Sequence, residues 1–311
     1  MKTETGIIIK STGSWYKVRA GEHGIVNARL SGKHKIKGLK STNPLAVGDH
    51  VSFIFENSGD EQSGVIQKIH PRKNYIVRKS IKKSAQAHLI ASNIDQAILV
   101  VTIVEPATSL GFIDRFLVSC ESFRIPVHIV FNKADLFTEG AHEYYEAVAD
   151  MYRSIGYECT LTSTVDNTGL DALHTLLQGK ISLLSGHSGT GKSSLINAIY
   201  PNQELRIGDI SSAHLKGKHT TTFAEMFELE KDTYVIDSPG IKELGLFDLE
   251  KENLSHYFPE MREVIGQCKF HNCTHIHEPK CKVIELVEEG VIPQSRYESY
   301  LSMFEGEDHK Y

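Results

Sequence analysis

The sequence predicts a multi-domain α/β chain with an OB-like β-barrel first, an α/β domain in the middle, and a metal-binding module with a helix last. Three observations carry this. Five short β-rich runs crowd into the first seventy residues, strand-like and helical stretches alternate from about residue 90, and three of the five cysteines fall within 268–281. At 311 residues the chain exceeds one small core, so two or three domains are expected, here 1–72, 73–246 and 247–311.

The barrel is predicted from "GIIIKS", "WYKVRA", "HGIVNARL", "HVSFIFE" and "GVIQKIH", separated by Gly, Pro, Asn and Asp. Five strands in so short a span suit an OB-fold, and an SH3-like barrel fits almost as well. Charge supports a polyanionic partner for this part. Residues 1–85 carry 16 Lys+Arg against 6 Asp+Glu, or +10, whereas the remainder is −15. The basic loop "SGKHKIKGLK" (31–40), between the third and fourth runs, is placed to touch phosphate.

The middle domain is predicted from the order "IDQAILVVTI", "GFIDRFLVSCESF", "IPVHIVFNK", "HEYYEAVADMYRSIG", "YECTLTS", "LDALHTLL", then "KISLLSG", "KSSLINAIY" and "TYVIDSPG". Such alternation indicates a mostly parallel sheet covered by helices on both faces. Residues 201–225 lack periodicity and read as a loop that orders on ligand binding. No run approaches the ~18 apolar residues of a membrane span. The opening "MKTETGIII" has no signal-peptide pattern, so the cytoplasm is the expected location.

Chemistry concentrates in four places. "GHSGTGKSS" (186–194) matches G-x-x-x-x-G-K-[ST] and lies between a strand-like and a helical run. Gly186, His187, Ser188, Gly189, Thr190 and Gly191 would wrap phosphates with backbone N–H groups, Lys192 would reach the β- and γ-phosphates, Ser193 would ligate Mg²⁺, and Ser194 would continue the helix N-terminus. The motif alone does not separate ATP from GTP. "DSPG" ends a strand at Asp237, a second Mg²⁺ partner, and Gly240 stands at the spacing that senses a γ-phosphate. "NKAD" (Asn132, Lys133, Ala134, Asp135) also succeeds an apolar strand. There Asp135 would accept from guanine N1–H and the 2-amino group, Asn132 would brace the loop, and the Lys133 stem would pack on the ring. Adenine lacks that donor pair. Ser163 and Thr164 end another strand and would offer backbone N–H groups to guanine O6.

The last cluster, "CKFHNCTHIHEPKC", holds Cys268, Cys273, His275 and Cys281 in a C-x₄-C-x-H-x₅-C arrangement. Three thiolates and one imidazole suit a closed, structural Zn²⁺ site, with His271 and His277 competing for the imidazole position. Cys120 and Cys159 stand in apolar surroundings and read as core residues.

Along the chain the base-reading loops precede the phosphate loop, which precedes "DSPG". This is the usual GTPase set, rotated. The chain therefore resembles the circularly permuted GTPases, and within them the RsgA family of ribosome small subunit-dependent GTPases. That resemblance implies GTP hydrolysis stimulated by the small ribosomal subunit in its late maturation, binding of rRNA, GTP/GDP with Mg²⁺, and one structural Zn²⁺ with His275 as the imidazole ligand. A monomer is expected. The residue after "DSPG" is Ile241, which cannot orient water as a glutamine does in Ras-like enzymes. The candidate for that task is His219 in "KGKHTTT" (216–222), with Thr221 (or Thr220) as a Mg²⁺ ligand on the same loop. The alternative is that His219 contacts rRNA or shapes the loop, and His187 is a weaker catalytic candidate. Two other functions fit parts of the pattern. A P-loop kinase or ATPase would show no guanine preference, against "NKAD" and Ser163. An RNA-binding assembly factor using GTP only as a timer shares every motif.

Overall fold

The structure, a computed structural model, describes residues 2–31, 44–58, 61–79, 87–201, 224–237 and 250–306. The 31–40 loop beyond Ser31, the Thr-rich segment with His219, Thr220 and Thr221, and Gly240 with Ile241 lie outside the described residues.

Strands β1 (Thr3–Ser11), β2 (Trp15–Arg19), β3 (Ile25–Leu30), β4 (His50–Ser58) and β5 (Glu61–Ile69) close a barrel in the order β1-β2-β3-β5-β4-β1. Only β3 and β5 run parallel. Alternation drives closure: Tyr16, Val18, Val26 and Ala28 point inward with Ile8, Val51, Phe53 and Ile66, while Trp15, Lys17, Asn27 and Arg29 face out. The predicted five-stranded barrel is present.

A hairpin that the sequence pattern did not predict, β6 (Tyr75–Lys79) with β7 (Ala87–Ser92), connects the barrel to the α/β domain. Its base is stitched by polar groups. Fully buried Asp49 accepts from Arg72 Nε and Nη2, at 2.6 Å each, and from Ser92 Oγ at 2.6 Å. Asn74 exchanges two 2.8 Å hydrogen bonds with the backbone of Ile94.

The second sheet has the order β10 (Glu158–Leu161), β9 (Val127–Phe131), β8 (Gln96–Val101), β11 (Ile181–Ser185), β13 (Thr233–Asp237), β12 (Glu225–Glu230). All pairs are parallel except β12–β13. Strands earlier in sequence than β11 lie on one side of it and later ones lie on the other. Helices α1 (Leu110–Ser122) and α2 (Glu139–Ser154) cover one face, and α3 (Leu170–Leu177) and α4 (Lys192–Ile199) cover the other, each with its own apolar core. Edge strand β12 meets β1 at Lys10 and Glu225, so barrel and sheet are continuous.

The C-terminal part packs a 3₁₀ segment (Lys251–Tyr257), a helical turn (Pro259–Arg262), α5 (Lys282–Glu288) and α6 (Gln294–Glu305) around Leu254, Phe258, Met261, Val283 and Tyr300. Val118 of α1 belongs to the same core. Arg296, wholly buried, bridges Asp114 of α1 (2.8 Å) and Glu260 (2.7 Å), and Asp114 also accepts from Ser299 and Tyr152. Burial opposes the guanidinium charge, and the two carboxylates more than offset it.

Candidate nucleotide site and metal centre

Every described nucleotide motif sits at the carboxyl edge of the parallel sheet. Asn132 comes after β9, Thr162 and Ser163 after β10, Gly186 after β11, and Asp237 ends β13. Ligands of open α/β sheets bind at that edge, because loops there connect oppositely directed elements and leave a crevice.

The phosphate loop depends on glycine at two positions where a neighbour leaves no room for a β-carbon. Gly186 (φ +142°) approaches β8 so closely that a β-carbon would lie 2.1 Å from Val100 O. Gly191 (φ +90°) would place one 2.3 Å from Asn132 Nδ2. Lys192 Nζ lies across the loop, donating to Gly186 O (2.8 Å) and His187 O (2.7 Å). Asp237 is close enough to feel that charge. Burial raises its carboxyl above the ordinary range, and Lys192 pulls it back.

Asn132 is the keystone between loops. Its Nδ2 donates to Thr190 O at 2.8 Å, and its Oδ1 accepts from Thr162 Oγ1 at 3.0 Å, all buried. Ser163 Oγ donates to Asp135 Oδ1 (2.7 Å), which orients that exposed carboxylate. The Ser163 N–H donates to Thr168 O (3.0 Å), so it is engaged within its own loop rather than offered to a base as expected, and the neighbouring Thr164 is half-buried. Lys133, in the left-handed region at φ +67°, donates from Nζ to Glu105 O. The motifs did not point to Thr162 or Glu105. Thr162 was within reach as the residue between strand β10 and Ser163, whereas Glu105 acts through its carbonyl, which no residue pattern encodes.

The sequence-predicted cluster of Cys268, Cys273, His275 and Cys281 also comes together, with its ligand atoms all within 4.8 Å of one another. A tetrahedral Zn²⁺ with arms of about 2.3 Å to sulfur and about 2.0 Å to nitrogen sets ligand separations of roughly 3.5–3.8 Å. The observed separations are 3.9 Å for Cys268–Cys281, 3.6 Å for Cys268–His275 and 3.4 Å for His275–Cys281. Burial lowers the His275 pKa, keeping the imidazole neutral, and raises the Cys273 thiol to about 12. Three sulfur donors and one imidazole at these separations form a closed four-ligand set compatible with zinc. Lys282 N–H donates to Cys268 Sγ (3.4 Å). Tyr297 and Tyr300 of α6 hold the His275 and Thr274 carbonyls at 2.7 and 2.6 Å. Although burial opposes it, hydrogen bonds from Thr274 and Ile276 bring the Glu278 carboxyl down to about 2.

With this geometry in place, comparison with known proteins decides the family. Residues 69–247 match the RsgA GTPase family and residues 5–66 the RsgA N-terminal domain. The chain belongs to the RsgA GTPase family. It is 50% identical over 307 residues to Small ribosomal subunit biogenesis GTPase RsgA 2 of Bacteroides thetaiotaomicron, covering 98% of both chains. To the Cytophaga hutchinsonii RsgA it is 56% identical over 306 residues, covering 98% of this chain and 99% of that protein. Among solved structures it resembles YjeQ from Thermotoga maritima (TM-score 0.79, 34% identity, all of both chains). It also resembles YloQ, described as a circularly permuted GTPase (TM-score 0.73, 32% identity, 100% and 97% of the chains). As an RsgA GTPase the chain is a GTP hydrolase of permuted fold, and the strand order around β11 states the permutation physically. Moving residues 87–180 behind β13 would restore the conventional motif order without displacing a strand. Among the described residues no helix is long and apolar enough to cross a membrane.

Proposed function

We propose that the chain hydrolyses GTP in response to the small ribosomal subunit and acts in the late maturation of that subunit, in the cytoplasm and as a monomer. The observation that carries this reading is the buried hydrogen bond from Asn132 Nδ2 to Thr190 O, which joins base loop to phosphate loop across 58 residues of sequence. It supports reading the two loops as parts of one pocket for a whole guanine nucleotide. In it, Asp135 would accept from guanine N1–H and the 2-amino group, Thr164 would donate to O6, and Gly186–Ser194 with Lys192 would receive the phosphates. Ser193, Asp237 and Thr221 would hold Mg²⁺, which neutralises charge on the β- and γ-phosphate oxygens. His219 remains the proposed water-orienting group, since Ile241 cannot serve. Cys268, Cys273, His275 and Cys281 would hold one Zn²⁺, supplying covalent closure to a module with a modest core.

The barrel (1–72) is proposed to bind rRNA, the centre (73–246) to turn over GTP, and 247–311 to add the metal module. Support for the first comes from the outer face of β2 and β3. Exposed Trp15 pairs across strands with Arg29, whose guanidinium is held by Glu56 at 2.6 Å, and exposed Lys17 lies alongside, so a stacking surface adjoins positive charge. The relatives' shared name, small ribosomal subunit biogenesis GTPase, supports the partner. GTP and ATP turnover, each with and without purified small subunits, tests the proposal. Subunit-stimulated turnover of GTP alone is expected. Strong ATP turnover unaffected by subunits would refute it, and GTP turnover indifferent to subunits would favour an assembly factor that uses GTP as a timer.

A further inference from the structure

We propose that Phe112 is a positioning residue of the nucleotide site, whose ring holds the His187 imidazole and thereby sets the phosphate loop from outside it. This rests on the reading that Gly186–Ser194 receives phosphates. The rings lie 3.8 Å apart between centroids at 31°, closer than the ~4.5–7 Å usual for aromatic pairs.

His187 is well placed to transmit that hold. Its carbonyl accepts from Lys192 Nζ (2.7 Å) and Thr190 Oγ1 (3.0 Å), so its peptide plane sits where the loop folds around the phosphate lysine. Without the stack the imidazole loses one of its restraints and regains side-chain freedom that nucleotide binding must then remove.

Phe112 is itself fixed. It stands in the first turn of α1, where its N–H donates to the capping Ser109 Oγ at 3.3 Å. Two residues on, Asp114 is gripped by Arg296, Ser299 and Tyr152, and Glu121 near the helix end pairs with Arg262 at 2.9 Å. Helix α1 therefore cannot slide without breaking buried ionic bonds to the C-terminal module. The segment leading into it touches the site twice more. Glu105 O holds Lys133, and the Pro106 ring lies 3.5 Å from where a β-carbon of Gly189 would stand. Residues 102–112 carry none of the nucleotide motifs, yet they contact both base loop and phosphate loop.

The test compares Mg–GDP affinity by calorimetry with guanosine affinity by competition, because guanosine has no phosphates to report on the loop. Phe112→Ala is expected to weaken Mg–GDP by roughly 3- to 10-fold, as loss of an aromatic pair implies, and guanosine by less than about twofold. Phe112→Tyr should restore GDP affinity, and Phe112→Ala should add nothing in a His187→Ala background. Phe112→Leu keeps apolar volume without a ring face, and it replaces the alanine variant if thermal unfolding shows that variant to be misfolded. Equal losses for GDP and guanosine, or additive effects of the two substitutions, would overturn the proposal. Lys192→Ala separates the premises. If it retains GDP affinity, the phosphate-loop reading fails. If it loses affinity while Phe112→Ala is silent, only the role of Phe112 fails.

Discussion

Replacing Asn132 by Asp tests the keystone with almost no change in side-chain volume. In the native site Nδ2 donates to the fully buried Thr190 carbonyl at 2.8 Å. Truncation to alanine orphans that carbonyl, at about 1–3 kcal/mol, and removes the Thr162 bond, at about 0.5–1.5 kcal/mol. Thr162 Oγ1 retains Phe131 O at 3.3 Å, so it is not orphaned as well. The sum, about 1.5–4.5 kcal/mol, corresponds to a loss of nucleotide affinity of about 10- to 1,600-fold if all of it falls on binding. Aspartate should be at least as damaging, because it sets a carboxylate oxygen against a carbonyl oxygen where a donor stood. Calorimetric titration with Mg–GDP, alongside unfolding of the nucleotide-free variants, divides the loss between affinity and stability. Should Asn132→Asp bind within about threefold of wild type while Asn132→Ala is weak, side-chain volume rather than the hydrogen bond joins the loops, and the reasoning fails.

Three further outcomes are expected. Arg296→Met leaves Asp114 and Glu260 buried without their cation and should destabilise the α1–α6 contact by about 3–5 kcal/mol, measured by denaturant unfolding and by hydrogen exchange in α6. Cys281→Ser, or chelation of the intact protein, should release one zinc per chain by metal analysis and loosen residues 250–306 in near-UV dichroism, while the barrel keeps its exchange protection. Asp237 has a raised carboxyl pKa, so its ionised form costs stability at neutral pH, and that cost disappears as pH falls through the raised value. Asp237→Asn should therefore raise the melting temperature near pH 7, show little difference in acid where both states are protonated, and lose Mg²⁺-dependent turnover. An unchanged melting temperature at pH 7 would count against that sign.

The elements of the site were legible because each obeys a local rule. β8, β9 and β11 are mostly apolar runs, as strands of a sheet covered on both faces should be, and Gly186 and Gly191 punctuate the turn after β11. The four zinc-type ligands were legible because three thiols and an imidazole at C-x₄-C-x-H-x₅-C spacing are the residue types a closed tetrahedral site uses. Strand β12 was not, because "EMFELE" is half charged and its pattern is set by salt bridges to the barrel, Glu225 to Lys10 (2.7 Å) and Glu228 to Arg19 (2.8 Å). The hairpin β6–β7 escaped for a similar reason. Its base is anchored by hydrogen bonds of Asn74 to Ile94 O and of Asn93 to Gly48 O, contacts with backbone 20 and 45 residues away.

Sequence by itself determined the family and the catalogue of motifs: N-K-x-D, G-x-x-x-x-G-K-S, D-x-x-G and a Cys₃His cluster, in an order that implies permutation. It could do so because those groups act through residue types at fixed short spacings. Only the tertiary structure decided how they are held. The Asn132–Thr190 bond spans 58 residues, the Arg296–Asp114 pair spans 182, and Phe112 meets His187 from a helix with no motif. Such contacts depend on which strand ends and helix faces the sheet order brings together, and on a low-dielectric interior that makes each buried polar group demand a partner.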